Sequence, residues 1–441
     1  MERSDIKESS CGDLLEKILA RENLLAAWKR VRQNGGAAGI DGMKIEVFPD
    51  FLRQHWETIR EKLLDGTYAP SPVRRVEIPK PDGAKRPLGI PTVLDRVIQQ
   101  AIAQILTPIY EPVFSDHSYG FRPARSAHDA IQAVQRTSKE TRRKWVVDCD
   151  LKAFFDTVNH DVLMSRLRRK IGDERVLSLI GKYLRAGVKL PDGRVEPTRG
   201  GVPQGGPLSP LLANILLDDL DQELEKRGHS FARYADDFVI LCRSPRAAQR
   251  IMKSVARFIE QRLKLVVNQT KSKVCELKDA AFLGFTLVKN QIKWSEKSKT
   301  KFKARLREIT SRTRGVSPWK VMEELQIYVR GAVNYYEPGI TYREALELER
   351  WLRSRVRLYY WKQWGRPQAR RRNLIRLGIA REKVHMASRS RKGPWRMSHT
   401  SIVSAALNNN WLEQQGVPSI ANQWISIRYP NGPAKGRPRK P

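Results

Sequence analysis

The sequence predicts an α+β fold in which helices cover one face of an antiparallel sheet. Residues 145–151 (WVVDCDL) form an apolar, β-prone run that ends in acids. Two further apolar runs, 231–233 and 238–241, flank the polar corner 234–237 (YADD), which is typical of a hairpin. Helical patterns and a loop lie between the first strand and the hairpin. This order favours helices that pack on one side of an antiparallel sheet.

Upstream of the sheet, apolar residues recur at helical spacing in some segments and alternate in others. In chain order the patterns predict a helix over 13–32, a glycine-rich loop over 34–42, a helix over 51–64, a strand over 73–78 and a return strand over 86–91. The turn composition of residues 79–83 makes the two strands a hairpin. Lys80, Lys85 and Arg86 are then expected around its tip.

Further helices are predicted on both sides of the first acidic strand. They cover 94–105, 126–139 and 211–226, and Ser209 is expected to cap the last of these with Pro210 at the first helical position. Beyond residue 294 the pattern becomes mostly helical. One long helix over 344–364 is predicted to carry Arg350, Arg353 and Arg357 as a basic stripe.

The composition indicates a polyanionic partner. Lys and Arg number 82 against 47 Asp and Glu, so the formal net charge is +35. This excess repels itself unless a polyanion neutralises it, and RNA or DNA is the expected partner. Residues 296–441 hold 32 Lys and Arg against 10 Asp and Glu, which places +22 in the last third. A catalytic core followed by a binding module is therefore predicted.

An anionic membrane is the competing explanation for this charge. No apolar run approaches the roughly 18 residues that a spanning helix needs, and the first residues lack the apolar core of a signal peptide. The four cysteines, Cys11, Cys149, Cys242 and Cys275, form no CxxC pair, so neither a disulfide framework nor a zinc module is predicted. We expect reduced thiols in a cytoplasmic protein that has no membrane contact.

Three acids form the predicted catalytic and metal site: Asp150, Asp236 and Asp237. Carboxylates that converge from two strands can hold a pair of Mg²⁺ ions, with Mn²⁺ as a possible substitute, and two metals suit in-line transfer to phosphorus. Adjacent carboxylates with apolar flanks repel each other unless a cation neutralises them. A solvated, Asp-rich turn is the alternative. Asp148 shares a strand face with Asp150 and could be mistaken for it.

Four residues are predicted to contact a nucleotide. Gln204 lies in the glycine-rich loop 200–210, where a base pair could approach the backbone, and Lys80 and Arg86 could clamp a triphosphate. Phe155 could stack under the sugar and exclude a 2′-hydroxyl, which would select dNTPs. The alternatives are a plain connecting loop, ordinary surface cations and a core phenylalanine, although Phe154 is the better candidate for the core.

Histidine has no predicted role in the site. His117, His128, His160 and His385 lack the spacing of metal ligands, so they are expected to be ordinary surface or core residues.

The motifs and their order resemble the reverse transcriptases encoded by group II introns. The matching segments are 86–101, 118–123 with 126–128, 150–156, 201–210, 234–237 and 282–285. Residues 34–42 are similar to an extra N-terminal block of this family. Segment 328–336 and the tryptophan-rich segment 361–365 resemble the thumb that is specific to maturases.

The resemblance implies a right-hand polymerase with fingers, an antiparallel palm sheet, a helical thumb and a small C-terminal DNA-binding region. The expected domains are an N-terminal extension (1–65), fingers and palm (66–295), a maturase thumb (296–365), a DNA-binding domain (366–425) and a disordered basic tail (426–441). The same motifs imply Asp150, Asp236 and Asp237 as metal ligands, and Lys80, Arg86, Phe155 and Gln204 as nucleotide contacts.

The implied activity is RNA-directed DNA synthesis together with binding of an intron RNA to promote its splicing and mobility. The implied partners are that RNA, an RNA template, a DNA primer or target and dNTPs, with the protein as a monomer or homodimer. The Cys pairs of an HNH endonuclease, which many members carry, are not found in this sequence. In this respect the chain resembles the compact class C members of the family. A stand-alone enzyme in DNA repair or phage defence, and an RNA-binding splicing cofactor without chemistry, remain alternatives. An RNA-dependent RNA polymerase is the least favoured.

Overall fold

The computed structural model describes residues 13–79 and 85–430, so Cys11 and the predicted contact Lys80 lie outside the described residues. Contacts divide the chain into two compact units, Met1–Leu283 and Gly284–Pro441. Each unit has its own hydrophobic core. Across the two described ranges, none of the helices combines the length and the apolar character that crossing a membrane requires.

The first unit begins with helices that pack on one long, buried helix. They are α1 (Leu14–Leu19), α2 (Arg21–Asn34), α3 (Phe48–Leu64) and the long helix α4 (Val93–Tyr110). The single helix predicted over 13–32 is therefore wrong in one respect, since it breaks at Ala20, which has an extended ψ of 139°. The Asn23 amide donates to the carbonyl of Ile18 at 2.8 Å and to that of Ala101 at 3.1 Å, which ends α1 and ties the break to α4.

The predicted early hairpin is present. Strand β1 (Val73–Pro79) pairs antiparallel with β2 (Lys85–Ile90), and Arg86 lies opposite Ile78. The short strands β4 (Val188–Lys189) and β5 (Val195–Glu196) extend this sheet, in the order β2-β1-β4-β5. Lys85 forms an exposed ion pair with Glu77 at 2.6 Å, so its charge is partly used within the hairpin.

The central sheet confirms the predicted α+β class. It contains β3 (Trp145–Cys149), β6 (Ser230–Tyr234), β7 (Asp237–Cys242) and β8 (Lys273–Glu276), in the order β6-β7-β3-β8. Every neighbouring pair is antiparallel. Strands β6 and β7 are joined by a two-residue turn in which Ala235 has a φ of +58°. The predicted hairpin and its acidic tip are thus both present.

The remaining helices of the first unit each bury apolar residues. They are α5 (Ala127–Thr141), α6 (Phe154–Thr157), α7 (His160–Leu167), α8 (Glu174–Arg185), α9 (Ser209–Lys226) and α10 (Pro245–Phe258), which continues as a π-helical turn (Ile259–Leu263). Of these helices, α5, α9 and α10 contact the central sheet. Ser209 is the first residue of α9 and not its cap, because its hydroxyl donates to the carbonyl of Pro203 at 2.7 Å. That bond anchors the preceding glycine-rich loop to the helix.

The second unit is a β-hairpin followed by helices. The hairpin consists of β9 (Phe285–Val288) and β10 (Gln291–Trp294). The ring of Trp294 stacks on the ring of Tyr336, and their centroids lie 4.4 Å apart. The helices are α11 (Glu296–Ile309), α12 (Pro318–Tyr336), α13 (Tyr342–Gln363), α14 (Pro367–Arg376), α15 (Arg381–Ser388), α16 (Pro394–Met397), α17 (Ser401–Ala406), α18 (Asn409–Gln414) and α19 (Ile420–Arg428). This stacking explains why the unit begins before the hairpin, whereas the sequence predicted a boundary after residue 295.

The C-terminal helices pack back onto the long helix α13. Trp424 of α19 lies in the same apolar cluster as Leu352 of α13, and its indole N–H donates to the carbonyl of Ile340 at 2.9 Å. Helix α19 reaches Arg428, so the start of the segment predicted as a disordered tail is helical. The burial of Trp424 is the reason. Residues 431–441, the rest of that predicted tail, lie outside the described residues.

The basic stripe predicted on α13 is partly used inside this unit. Arg353 pairs with Glu349 at 2.7 Å and with Glu413 at 2.9 Å, and Arg357 donates to the carbonyl of Leu407 at 2.9 Å. These two side chains therefore help hold the C-terminal helices on α13. Arg350 remains exposed.

Candidate active site

Asp150 directly follows β3, next to the strand β7 that begins at Asp237 of the acidic turn. Strand β3 pairs with β7 so that Cys149 lies opposite Phe238, where their pairing ends. Extending that register by one position would bring Asp150 opposite Asp237. Because opposite residues share a face and alternate residues do too, Asp148 lies on this face as well. The two motifs predicted to converge are therefore neighbours in one sheet.

The carboxylates repel one another in this half-buried setting. Burial, together with the charges of Asp148, Asp236 and Asp150 in that order, raises the pKa of Asp237 to about 7. Burial also raises the pKa of Asp148, with Asp150 adding to the effect and Lys273 opposing it. Asp148 therefore belongs to the acidic cluster, although the sequence alone assigned it no role.

Asp236 occupies the tip of the turn. Burial raises its pKa, the charge of Asp150 raises it further, and the charges of Arg86 and Arg233 lower it. Arg86 is thus close enough to act electrostatically on the acidic turn while its own side chain is exposed. This places the exposed cation of the early hairpin on the acidic side of the first unit.

Asp150 is held by a loop that the sequence did not single out. Its carboxylate accepts a hydrogen bond from the Asn268 side-chain amide at 2.8 Å, and its carbonyl accepts one from the Asn268 backbone N–H at 2.8 Å. The N–H of Asp150 donates to the hydroxyl of Ser272 at 3.0 Å. Asn268 and Ser272 lie in a polar stretch whose composition reads as an ordinary turn, so no strong signal marked them.

The residue types fit a divalent cation, but the described side chains do not form a ready coordination shell. Carboxylates are the ligands that Mg²⁺ prefers, and four of them with raised mutual repulsion favour a cation. Within residues 13–79 and 85–430, no group of three or more His, Cys, Asp or Glu side chains is arranged to hold a metal ion. Assignment of Asp150, Asp236 and Asp237 as metal ligands therefore stays a prediction.

A fully buried arginine fixes the shape of the turn. The Arg233 guanidinium donates to both carboxylate oxygens of Asp221, to the Asn214 side chain at 3.0 Å and to the carbonyl of Ala235 at 2.9 Å. It also donates to the hydroxyl of Ser118 at 2.8 Å. The hydrogen bond to the carbonyl of Ala235 reaches the turn itself, so this network fixes the direction in which the acidic side chains point.

Segment 118–123 reaches the same turn through its backbone. The N–H of Tyr119 donates to the carbonyl of Arg233 at 2.8 Å, and the carbonyl of Gly120 accepts from the Asn214 amide at 2.8 Å. A side chain at Gly120 would place its Cβ only 2.3 Å from the backbone nitrogen of Ala235. Glycine is therefore required here for close backbone approach and not for a turn of its own.

Phe155 and Gln204 line one cavity of about 310 Å³ in the first unit. The N–H of Val202 donates to the carbonyl of Phe155 at 2.6 Å, and the carbonyl of Gln204 accepts from the N–H of Gly89 at 2.8 Å. The glycine-rich loop is thus bonded both to the segment after β3 and to strand β2. Two of the four predicted nucleotide contacts therefore share one cavity.

Phe154 and Phe155 divide between the core and the cavity, and His160 is a core residue. Phe154 is buried in the core at 2% exposure, whereas Phe155 is half-buried and faces the cavity. The Nε2 atom of buried His160 lies 2.7 Å from the carbonyl of Gly201. His160 therefore supports the glycine-rich loop as a core residue.

Two family models match the chain. The model described as reverse transcriptase (RNA-dependent DNA polymerase) matches residues 78–287, and that described as group II intron, maturase-specific domain, matches residues 299–378. The first match contains the acidic cluster and most of the residues that line the cavity. The second lies within the helical unit.

Relatives of the chain include a protein that is named as encoded by a group II intron. Protein YkfC of Escherichia coli (strain K12) is 35% identical over 323 residues, which cover 64% of this chain and 84% of YkfC. The group II intron-encoded protein LtrA of Lactococcus lactis subsp. cremoris is 38% identical over 262 residues, which cover 59% of this chain and 42% of LtrA. The match thus spans less than half the length of LtrA. Among solved structures, a partial Cas6-RT-Cas1–Cas2 complex shares 27% identity at a TM-score of 0.37, covering 56% of this chain and 42% of that chain.

Proposed function

The chain belongs to the family of group II intron-encoded reverse transcriptases with a maturase domain, and we propose that it copies RNA into DNA at the acidic face of its central sheet. The observation that carries this proposal is the proximity of Asp150, which directly follows β3, to Asp237 at the start of the neighbouring strand β7, beside Asp236 at the turn. The proposed substrates are an RNA template, a DNA primer and dNTPs. The intron RNA is the proposed partner of the maturase domain.

In this proposal Asp150, Asp236 and Asp237 would hold two Mg²⁺ ions, for which Mn²⁺ could substitute. The acid cluster supports it, because burial and mutual repulsion together raise the pKa of Asp237, and a dication would offset both effects. When bound, such ions supply positive charge to the attacking and leaving oxygens of phosphoryl transfer. Asn268 would orient Asp150, and Arg233 would hold the turn that presents Asp236.

The cavity near the glycine-rich loop is the proposed place of the incoming nucleotide. Gln204 would hydrogen-bond to it, and Phe155 would lie against its sugar, because both line this space. Arg86, together with Lys80, would face the triphosphate. The electrostatic effect of Arg86 on Asp236 supports this role for Arg86. Positioning and fixed charge would carry the reaction.

Primer extension tests the proposal directly. We expect the purified protein to add dNTPs to a DNA primer on an RNA template, and Asp236→Asn to abolish extension while leaving thermal stability intact. Asp161→Asn is a matched control, since Asp161 is exposed on α7 and lies outside the acidic cluster. Equal extension by wild type and Asp236→Asn would reject this site.

A reducing, cytoplasmic setting is also proposed. Cys149 and Cys242 are buried, Cys275 is half-buried, and all three are free thiols. Burial raises the pKa of Cys149 to about 12 and that of Cys242 to about 11, which keeps both as unreactive thiols.

A further inference from the structure

The second unit contains a cavity of about 410 Å³ that is lined by cations from several elements. We call it the arginine pocket, and its basic residues are Arg307, Arg312, Arg355, Lys362 and Arg370. The first two come from α11 and the 3-10 turn after it, the next two from α13, and the last from α14. Residues far apart in sequence thus bring positive charge to one concave surface.

The arginine pocket has no compensating acid. Neither Asp nor Glu lines it, and within residues 13–79 and 85–430 none of its five cations forms an ion pair. Nearby acids are already used, since Glu308 pairs with Arg305 at 2.6 Å and Glu324 with Arg314 at 2.7 Å. An anion bound in the pocket would therefore relieve the repulsion among its cations.

Two of the arginines are held in place with an unused donor. The Nε atoms of Arg355 and Arg370 are buried and have no hydrogen-bond partner among the described residues. Arg355 is fixed by its Nη2 atom, which donates to the hydroxyl of Thr310 at 3.0 Å. Arg370 is fixed by its guanidinium, which lies 4.7 Å from the ring centre of Trp361. A buried donor without a partner costs free energy, so an acceptor in the pocket would be stabilising.

The electrostatics of both arginines point the same way. Burial lowers the pKa of Arg355, and the charge of Arg307 lowers it further. Burial also lowers the pKa of Arg370. Each shift means that the charged form is disfavoured by its surroundings, and a bound anion would remove that penalty.

We propose that the arginine pocket binds a phosphate group of the RNA backbone. Guanidinium groups match the oxygens of a phosphate in pairs. Ser311 and Thr313, whose hydroxyls are hydrogen-bonded to each other at 3.0 Å, belong to the same lining. The inference rests on the proposed function and deepens it, because it assigns one anchoring point for RNA outside the catalytic sheet. DNA carries the same phosphodiester chemistry, so the two nucleic acids must be compared.

The test measures binding to a short RNA hairpin and to a DNA duplex of matching sequence over a range of KCl concentrations. One variant combines Arg355→Gln with Arg370→Gln. A second combines Arg312→Gln with Lys362→Gln, which are exposed residues that a fold tolerates more easily. The control combines Arg371→Gln with Arg372→Gln, which are exposed on α14, do not line the pocket and change the charge equally.

We expect both pocket variants to bind RNA on the order of tenfold more weakly at low salt, and the slope of log affinity against log salt to become shallower by about one. The control variant should lose less affinity for RNA than the pocket variants, and its slope of log affinity against log salt should stay closer to that of wild type. Weaker binding of RNA alone, or of RNA and DNA together, supports the proposal. Equal losses in the control and the pocket variants, or a loss restricted to DNA, would overturn it.

This experiment separates the pocket from the catalytic proposal. Primer extension by wild type reports on the acidic cluster, whereas the salt slope of RNA binding reports on the pocket. A protein without extension activity could still show the pocket-dependent slope, and an active enzyme could lack it. Each proposal can therefore fail while the other stands.

Discussion

The guanidinium of Arg233 donates from Nε to both carboxylate oxygens of Asp221, at 2.7 and 3.0 Å, and both side chains are fully buried. Asp221 lies on α9 and Arg233 on β6, so the pair joins a covering helix to the sheet. The same guanidinium donates to the carbonyl of Ala235 in the acidic turn. A structural ion pair thus controls a turn that carries two of the proposed catalytic acids.

Asp221→Asn is expected to destabilise the first unit and to impair catalysis. The substitution leaves the charge of Arg233 buried without its partner, which typically costs about 3–5 kcal/mol of unfolding free energy. Urea titration followed by circular dichroism measures that loss, and primer extension measures the effect on the turn. Asp192→Asn breaks an exposed pair with Arg194 and should leave both nearly unchanged. A stable, fully active Asp221→Asn protein would contradict this role for the pair.

The central sheet is predictable from the sequence because its signals are local. An apolar strand that ends in Asp150, and two apolar runs around a four-residue corner, specify strands whatever their partners are. The convergence of these acids also follows, since a single antiparallel sheet leaves few places for them.

The supporting residues are not predictable in this way. Arg233 reads as a polar residue within a strand, and only the fold shows that Asp221, twelve positions earlier in chain order, removes the cost of burying it. Asn268 reads as part of a polar turn until its contact with Asp150 is seen. The break at Ala20 likewise depends on a contact between Asn23 and the distant helix α4. Long-range partners decide each case, and a local pattern does not contain them.

Asp218→Asn is expected to stabilise the protein in a pH-dependent way. Burial, with a further contribution from the charge of Asp221, raises the pKa of Asp218 from 3.8 to about 6, and its Oδ1 atom has no hydrogen-bond partner among the described residues. The folded protein therefore keeps a proton that the unfolded chain has released. The contribution of Asp218 to the free energy of unfolding therefore falls as the pH rises from about 4 to about 6, and it stays low above that range.

The asparagine variant removes that titration. The free energy of unfolding of the variant should equal that of wild type near pH 4 and exceed it by roughly 1–3 kcal/mol near pH 7. Urea titrations at both pH values measure the difference. Asp219→Asn provides the contrast, because Asp219 pairs with Arg166 at 2.7 Å and Arg169 at 2.6 Å, so its loss should destabilise. An Asp218→Asn advantage that is independent of pH would contradict the explanation.

Phe155→Ala is expected to weaken discrimination against ribonucleotides. The ring faces the cavity that we propose for the incoming nucleotide, so its removal opens space for a 2′-hydroxyl. Selectivity for dNTPs over NTPs should fall by up to about a hundredfold, the usual scale for a pocket that excludes one hydroxyl by shape. Single-nucleotide incorporation kinetics measure the ratio. Phe51→Ala removes a half-buried ring on α3 and should leave that ratio intact, whereas an unchanged ratio in Phe155→Ala would argue against the gate.

Asp236→Asn is expected to separate DNA synthesis from assistance to splicing. The substitution removes one negative charge from the tip of the turn, and its effect falls on the cluster formed with Asp150 and Asp237. The arginine pocket lies in the other unit and is untouched, as is the remainder of the segment that matches the maturase-specific domain. Splicing of a cognate intron RNA by the variant should therefore proceed at close to the wild-type rate while primer extension is lost. The double variant Arg355→Gln, Arg370→Gln should affect the two activities in the opposite way. As the salt concentration is raised, its splicing rate should fall more steeply than its rate of primer extension. The reason is that binding of RNA through phosphate contacts weakens with ionic strength. Parallel loss of both activities in Asp236→Asn, in a protein that still melts like wild type, would mean that one surface serves both tasks.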